Sequence, residues 1–562
     1  MLSKLKSFLN KGHRNRVAIL LCFLVMYASA SNLMRQKMQA PPSLPKSVQK
    51  KDTVHQHTAN KKVINMKRAE NILQREGFEP LVLLDSVILY HDGIYMHCDS
   101  AYLNEATNTF DAFSNINVNQ GDTLFMYGDY LHYNGNNKLL EVRRNVRLEN
   151  DKDMTLFTDS LNYDRVANLA YYYNGGMLVD PENELTSDWG QYQPALKLAT
   201  FRDSVKLVND KFTLYSDALK YNTDTKVATI IAQSTIVSDS GTIYTSNGWY
   251  NTVTDESLLL DRSTVVNKEG NRSLTGDSIF YNKQEGFGEV FGNMYMQDTL
   301  KKVILKGNYG FYNDLADFAY ATDSAIAIEY SQGDSLYLHA DTLRLTTIRD
   351  SINGDMREIM GFYNVRFFRS DVQGVCDSLM FKTQDSILYL YKDPVLWNEN
   401  YQMLGDTIEI YMNDSAIDMA HIKKYCFAIE DIDSIHYNQL KGRDMKVFFE
   451  GKEMRNVLVE GNAESIFYPI EKDGSMIGMN QTQSAYLSIS LKEKKIDLIK
   501  LWPQSTGTLT PIPDLLADQM KFPDFRWYDY IRPLDKDDIL RRTKRKDDGG
   551  DMKKRRRRTE QQ

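Results

Sequence analysis

Apolar and polar residues alternate along most of this chain, from about residue 81 to about residue 500. The stretch LNY at 161–163 shows the pattern, and LKY at 219–221 repeats it. Strict alternation predicts β-strands that bury one face and expose the other face to water. The sequence therefore predicts an all-β protein over this region.

The alternating stretches belong to a repeat of about 30 residues. An acidic or amide residue stands two positions before each apolar pair, at Asp99, Asp129, Asp159, Asp188, Asp217, Asn247, Asp277, Asn308, Asp341, Asp377, Asp406 and Asp433, with a weaker copy at Gln483. A second marker runs in phase with the first, at Asn115, Asn145, Gly176, Asn293 and Asn364. Short acidic side chains cap bends, and Asn and Gly tolerate positive φ, so both markers predict sharp corners between short strands. Stacked copies that fold over at these corners predict two facing sheets with an apolar interior.

Composition agrees with a β protein. The chain has 562 residues, of which 42% are hydrophobic, and it contains 34 Tyr and 24 Phe but 13 Pro. Aromatic residues suit the half-buried surface of a sheet. The net charge of −7 argues against nucleic acid as the partner of the whole chain.

The first 30 residues have the pattern of an export signal. Basic residues precede the apolar run 17–27, and the small residues at 28–30 predict cleavage after Ala30, with a retained membrane anchor as the alternative. Residues 31–80 are expected to comprise a linker over 31–65 and a short helix near 66–76. Export predicts a periplasmic protein, which is membrane-associated if the anchor is retained. Of the four Cys, Cys22 lies in the apolar run, and Cys98, Cys376 and Cys426 are too few and too far apart for a disulfide framework.

The chain changes character after Trp502. Residues 503–540 are rich in Pro and aromatic residues, and we expect them either to pack back as a cap on the last repeat or to dock a partner through Phe525, Trp527, Tyr528 and Tyr530. Residues 541–562 form a basic tail that is expected to be disordered and could contact an anionic surface.

Catalytic motifs are missing from the sequence. It has no G-x-S-x-G, P-loop, H-E-x-x-H or C-x-x-C pattern, and the many Asp residues occupy one position of the repeat, which indicates a structural role. His91 and His97 lack matching ligands for a metal. We therefore predict no enzyme activity, no metal site and no cofactor.

The repeat resembles the OstA-like family, the periplasmic lipopolysaccharide-transport fold that also forms the N-terminal domain of organic solvent tolerance proteins. The stretches that carry the resemblance are YGDYLHYNGNNKLLEVRRNVRLEND at 127–151 and TGDSIFYNKQEGFGEVFGNMYMQD at 275–298. The resemblance implies an elongated repeat β-jellyroll of stacked antiparallel strands, with OstA-like repeats over 81–330 and more divergent repeats over 331–502. It also implies a groove between the sheets that holds acyl chains.

The function that the resemblance implies is binding and transport of lipopolysaccharide or a related lipid in outer-membrane assembly. Its partners would be inner- and outer-membrane lipopolysaccharide-transport proteins, with edge-to-edge self-association as a further option. The inward pairs of the repeat would line the groove, namely Leu131, Tyr133, Leu161, Tyr163, Leu219, Tyr221, Ile279, Tyr281, Leu379 and Phe381.

Two other functions fit a long β repeat. One is an outer-membrane β-barrel, since 30 residues could form a hairpin of two spanning strands, although the outward positions carry Lys, Arg, Asn and Glu. The other is a surface protein that binds carbohydrate.

Overall fold

The computed structural model describes residues 62–543, apart from residues 122, 151–153, 314, 332, 349–355, 414–415, 452, 472 and 493–494. All of the described residues belong to one structural unit, which begins at Lys62. The predicted export signal, the predicted linker before residue 62 and the basic tail from residue 544 lie outside the described residues.

The described residues form 38 strands in one antiparallel series, which confirms the predicted all-β fold. Strands β1 to β19 are Asn65–Arg68, Asn71–Arg75, Phe78–His91, Ile94–Asn104, Thr109–Gln120, Leu124–Asn134, Leu139–Asn150, Met154–Asp164, Leu169–Tyr172, Gly176–Val179, Asn183–Ser187, Trp189–Gln193, Leu198–Asn209, Phe212–Asn222, Val227–Ile230, Ser234–Ser238, Gly241–Thr245, Asn247–Asn251 and Glu256–Leu260.

Strands β20 to β38 are Thr264–Asn267, Arg272–Thr275, Ser278–Asn282, Phe287–Asp298, Val303–Asn313, Phe318–Glu329, Leu336–Ile348, Met356–Arg369, Val372–Lys382, Ile387–Tyr391, Val395–Asn398, Tyr401–Leu404, Thr407–Asn413, Ala416–Asp431, Tyr437–Glu450, Glu453–Phe467, Gly478–Lys492, Lys495–Trp502 and Thr506–Pro511. Single turns of 3-10 helix occur at Pro194–Leu196, Ile512–Asp514, Asp529–Ile531 and Asp538–Leu540. In the described part of the chain, no helix has the length and apolar character needed to cross a membrane.

The helix predicted near 66–76 is wrong, because these residues form β1 and β2. Both strands pair with β3, and the chain bends between them where the Glu70 N–H donates to the Asp85 carbonyl at 3.1 Å. The edge of β3 offers a row of backbone partners, and this tertiary pairing overrides the local preference of a polar segment for a helix.

Most long strands continue through a bend near their middle, so that one strand contributes to two sheets. In the β6–β7 pair, for example, the register shifts between Tyr127 and Tyr130. We call the sheet that contains residues 94–98, 116–120 and 124–128 sheet I, and the sheet that contains 100–104, 109–113 and 130–134 sheet II. The predicted short strands are therefore longer bent strands, and in places the bend splits them into two, as at β11 and β12.

The two sequence markers meet at the bends. The Asn145 side chain donates from Nδ2 to Asp129 Oδ2 at 2.6 Å. Arg144 and Asn145 have φ of 61° and 51°, the left-handed region that Asn tolerates. The same side-chain bond joins Asn115 to Asp99, Asn293 to Asp277, and Asn364 to Asp341. The markers recur in phase because they form one hydrogen-bonded pair on neighbouring strands.

Three predicted corners are misplaced. The bends near Asn247 and Gln483 lie at Ser246 and Ala485, where the hydroxyls of Thr245 and Ser484 donate to the carbonyls two residues later. The predicted corner at Asp433 is displaced furthest. Asp433 lies in the hairpin turn between β33 and β34, where its carboxylate accepts the N–H groups of Ile435 and His436 at 3.0 and 2.7 Å. The bend of β34 lies further on, between Lys441 and Asp444. An Asp-Ser pair caps a turn as readily as it caps a bend, so the local sequence does not separate the two.

The line of bends, which we call the vertex, requires a small residue before each acidic marker. A Cβ added to Gly128 would lie 2.6 Å from Val142 Cγ1 on the next strand. Where the small residue carries a hydroxyl, it donates to the carbonyl two residues later, as Ser187 does to Trp189 at 2.8 Å and Ser216 to Ala218 at 2.8 Å. The two sheets can converge at the vertex because nothing larger stands there.

The cysteines are explained by the same requirement. Cys98 and Cys376 occupy the small position before Asp99 and Asp377, and both are buried, as is Cys426. Burial raises the pKa of the Cys98 and Cys426 thiols to about 12. These residues therefore serve as small core side chains.

The interior between the sheets contains two main apolar clusters. The first extends from Ile64 to Ile236 and the second from Leu259 to Leu487, and Ile243 packs against both. We call residues 62–255 the closed half and residues 256–511 the open half, after the difference in exposure of their interior tyrosines.

Replacing Gly128 with Ala should lower the free energy of unfolding by about 1–3 kcal/mol, because the new methyl group overpacks the vertex against a stiff valine. Urea unfolding measures the loss. Gly507→Ala is the matched control, since its added Cβ would stand 3.4 Å from Thr482 Cγ2, an ordinary contact. Equal unfolding free energies for the two variants would contradict the steric requirement.

Candidate functional site

The two sheets diverge from the vertex and end at two rows of hairpin turns. We call these rows the rims, and the gap between them the mouth. Along the series the apolar interior is bounded by the vertex, the two sheets and the mouth, and Ile243 joins its two clusters. Whether a ligand can enter it depends on what fills the interior and what spans the mouth.

One position of the repeat reports on access to the interior. The tyrosine four residues after the marker is 0% exposed at Tyr133, Tyr163 and Tyr221. At Tyr281 and Tyr312, which occupy the same position, the exposed fraction is 38% and 48%. The change occurs between Tyr221 and Tyr281, so the interior first becomes accessible at Tyr281. At the same position of later repeats, Leu345 and Phe381 are half-buried and Ile410 is 5% exposed.

The closed half is filled by its own side chains. The predicted groove residues Leu131, Leu161 and Leu219 are 0% exposed, as are the three tyrosines that follow them. Aromatic rings occupy much of this interior, including Phe110 packed on Tyr133 at a centroid distance of 5.6 Å. These six predicted residues are therefore core residues in this structure.

Tyrosine hydroxyls tie the rims together across the closed half. The hydroxyl of Tyr133 lies 2.6 Å from His91 Nδ1 on the opposite rim. The same position of later repeats makes related contacts, which we call the latches: the Tyr163 hydroxyl donates to Asn168 Oδ1 at 2.7 Å on its own rim and lies 3.4 Å from Gln120 Oε1 on the other, Tyr192 accepts from Asn150 Nδ2 at 2.6 Å, and Tyr221 donates to Asp180 Oδ2 at 2.5 Å.

Ion pairs reinforce the latches. Lys138 and Lys62 both contact Asp92, and their hydrogen bonds hold the pKa of that carboxyl well below its usual range. Lys226 lies 3.0 Å from Asp180, whose side chain is fully buried, and this pairing offsets the cost of burying the carboxylate. The series extends to Lys211 and Asp255, 2.7 Å apart.

The open half has an apolar interior that reaches the surface. Tyr281 and Tyr312 flank Gly288 on neighbouring strands of sheet II and face the interior. Further apolar side chains around the second cluster are partly buried: Val265, Leu274, Leu305, Ala327, Leu336, Leu338, Leu388, Met412, Phe449, Met454, Ile489, Leu491, Ile499 and Leu501. Of the predicted groove residues here, Ile279 and Leu379 are 5% exposed, whereas Phe381 is half-buried. Only this half of the described chain therefore offers a groove.

A cavity of about 100 Å³ lies between the sheets near the end of the open half. Met403, Ala428 and Leu440 line it from sheet I, and the lining from sheet II includes Met445, Val447, Val457, Leu487 and Ile489. Glu430, Asn438 and Ser465 supply its polar edge. Apolar cavities stay dry and accept apolar ligands, so this one suits a hydrocarbon group.

The Pro and aromatic segment after β38 packs back on sheet I, but not as a cap on the last strand. We call residues 512–543 the strap. It crosses the outer face of sheet I in the direction opposite to chain order, contacting Gln439 first, then Gln402, Gln373 and Arg366. Met403 and Leu440 point into the interior cluster, so their neighbours Gln402 and Gln439 point outward, to the strap.

Two buried glutamines hold the strap by pairing with its backbone. Gln402 donates to the Arg526 carbonyl at 2.8 Å and accepts the Tyr528 N–H at 2.7 Å. Gln439 makes the same pair of bonds with Met520 and Phe522, at 2.8 and 3.0 Å.

The four residues considered for partner docking lie on this strap. Phe525 and Trp527 pack on Tyr437 with ring centroids 5.1 and 5.5 Å apart, and Tyr528 is buried with Val395 and Trp397. Tyr530 is 41% exposed. Three of the four therefore contact the chain's own sheet.

The latches and the strap were not predicted, although the sequence contains a signal for each. His91, Gln120, Asn150 and Asp180 recur at nearly the spacing of the repeat, and each precedes its tyrosine partner by a similar interval. Gln373 and Gln402 each stand four residues before an acidic marker, on the outward face of sheet I. Other repeats carry residues of other types at this position.

Comparison with known proteins supports the family resemblance for part of the chain. Residues 61–217 match the family model described as OstA-like protein, so the predicted resemblance is confirmed there. Among solved structures, the chain is similar to LptH of Pseudomonas aeruginosa, described as the LptA homologous periplasmic component of the conserved lipopolysaccharide transport device. The identity is 12%, the match covers 24% of this chain and 79% of LptH, and the TM-score is 0.13. No curated protein matches the chain.

Stability should fall at alkaline pH because of the interior tyrosines. Burial raises the pKa of Tyr133, Tyr163 and Tyr221, and it raises the pKa of Tyr172 to about 12. In the unfolded chain these phenols ionise near pH 10. The folded state is therefore fully stable below about pH 10 and loses stability as the pH rises towards about 12.

Urea midpoints measured against pH, together with tyrosinate absorbance, test this dependence. Tyr172→Phe should flatten part of the slope, whereas Tyr215→Phe, at an exposed position, should not. A midpoint that stays constant up to pH 12 in the unsubstituted protein would contradict the burial of these hydroxyls.

Replacing Gln402 with Ala should loosen the strap, because it leaves a buried N–H and a buried carbonyl without partners at a cost of about 1–3 kcal/mol. Trypsin cleavage after Arg526 should become about tenfold faster or more. Gln384→Ala, in an exposed turn, is the control. An unchanged cleavage rate would show that Gln402 does not hold the strap.

Proposed function

We propose that this protein binds the acyl chains of lipopolysaccharide, or of a related lipid, in the open half of its groove and acts in the periplasm in outer-membrane assembly. The observation that carries the proposal is the change in exposure at one repeat position, from 0% at Tyr221 to 38% and 48% at Tyr281 and Tyr312. The OstA-like match over 61–217 supports the ligand class, because the family resemblance implies lipopolysaccharide transport.

The energetics favour this role. Each methylene group that leaves water contributes about 0.8 kcal/mol, so a long apolar groove can hold an acyl chain without directional bonds. Tyr281 and Tyr312 suit the mouth of such a groove, since their rings contact hydrocarbon while their hydroxyls can reach water. Binding of this kind requires no catalytic group, which agrees with a transport protein.

Edge pairing offers a route to partners. Among the described strands, β1 and β2 are paired to β3, and β37 and β38 to β36, so each end of the series presents a strand with an outer edge. Such edges can pair with another chain. We propose that the partners are membrane proteins of lipopolysaccharide transport, or a second copy of this chain.

Photo-crosslinking in cells that make lipopolysaccharide tests the proposal. A photoreactive residue at Tyr281 or Tyr312 should capture lipopolysaccharide, because both positions face the accessible interior. Lys220, an exposed residue on the outer face, is the control and should capture none. Failure to capture at both tyrosines, or equal capture at Lys220, would reject the groove as the lipid site.

A further inference from the structure

We infer that the latch tyrosines Tyr133, Tyr163 and Tyr221 exclude acyl chains from the closed half, so that they decide where along the chain lipid can bind. The inference rests on the proposed function and assigns its specificity to particular side chains. It means that the groove ends near residue 255 instead of continuing through residues 62–255.

The inward tyrosines of the closed half occupy the interior and also reach across the mouth. The closed and open halves share the same repeat, with the marker, the bend and the inward pair at the same positions. In the closed half the ring at the inward position fills the interior, and its hydroxyl reaches the opposite rim, as Tyr221 does to Asp180 and Asn183 at 2.5 and 2.8 Å. One side chain thus both occupies the space that an acyl chain would need and ties the two rims.

The hydrogen bonds of the latches are costly to break because their partners are buried. Asp180 and Asn183 are buried, at 7% and 4% exposed, and they also contact Lys226 and Thr252. Separating the rims would leave a buried carboxylate with fewer partners, which is more costly than breaking an exposed hydrogen bond. An acyl chain brings no polar group to replace these bonds, so it cannot compensate for them.

The exposure of the repeat tyrosine changes between the two halves. The latches follow one another along the closed half and extend to Lys211 and Asp255. The first repeat tyrosine beyond that pair is Tyr281, and it is accessible. Burial of the repeat tyrosine therefore changes between Tyr221, which bonds across the mouth, and Tyr281.

The test uses the purified full chain and palmitic acid that carries a photoreactive diazirine, with the adducts mapped by peptide mass spectrometry. The unsubstituted protein should give adducts within residues 256–501 and at least about tenfold fewer within 62–255, since excluding two methylene groups already lowers occupancy by about that factor. Adducts at similar yield in both halves would overturn the inference and leave the proposed function standing. Adducts in neither half would overturn the proposed function.

A variant then tests the role of the tyrosines. Tyr133→Ala, Tyr163→Ala and Tyr221→Ala together should raise adduct formation within 62–255 by about tenfold. The matched control replaces three exposed outward tyrosines, Tyr95→Ala, Tyr102→Ala and Tyr215→Ala, and should leave the map unchanged. If the first variant folds and its closed half still excludes the probe, or if the control opens that half equally, the inference is wrong. If the first variant does not fold, each tyrosine is replaced by Ala singly, and the same increase should appear near the replaced residue.

Discussion

The whole architecture depends on the contact at the vertex, where one bent strand belongs to two sheets. The sheets can converge there because a small residue precedes each acidic marker, as Gly128 does against Val142. Neighbouring strands complete the bend with a left-handed residue such as Asn145, whose side chain bonds to Asp129. The vertex determines how closely the two sheets approach at the bends. The side chains at the inward positions then determine the distance between the rims.

That freedom explains how one repeat can produce two kinds of interior. In the closed half, tyrosine rings fill the interior and their hydroxyls bond across the mouth. In the open half, the same inward position carries accessible tyrosines and partly buried aliphatic residues, and a cavity remains between the sheets. The strap packs on the outer face of sheet I in this half, where Gln402 and Gln439 of the sheet bond to its backbone behind the cavity. One repeat thus gives a filled interior around Tyr221 and an accessible one around Tyr281.

The sequence predicts the repeat, the bends and the inward faces, because each depends on local chemistry: alternation, capping by Asp and positive φ at Asn. It does not predict which interior is open. Tyr133 and Tyr281 occupy the same repeat position in similar local sequences, and the burial of Tyr133 involves distant residues such as His91, which pairs with it across the mouth. The prediction of a helix over 66–76 is wrong because this segment forms strands by pairing with β3, and that tertiary pairing cannot be recognised from the local sequence. The corner predicted at Asp433 is wrong for a local reason. An Asp can cap a hairpin turn as well as a bend, and Asp433 caps a turn.

Distances across the mouth test the central claim most directly, which is that one half is held shut and the other is free to open. Spin labels at Gly121 and Val166 would report on the rims of the closed half, and labels at Leu300 and Leu315 on those of the open half. Double electron–electron resonance should give a narrow distance for the first pair that lipopolysaccharide leaves unchanged. The second pair should give a broader distribution that shifts when lipopolysaccharide is added. Equal widths with no shift, or a shift confined to the first pair, would contradict this account.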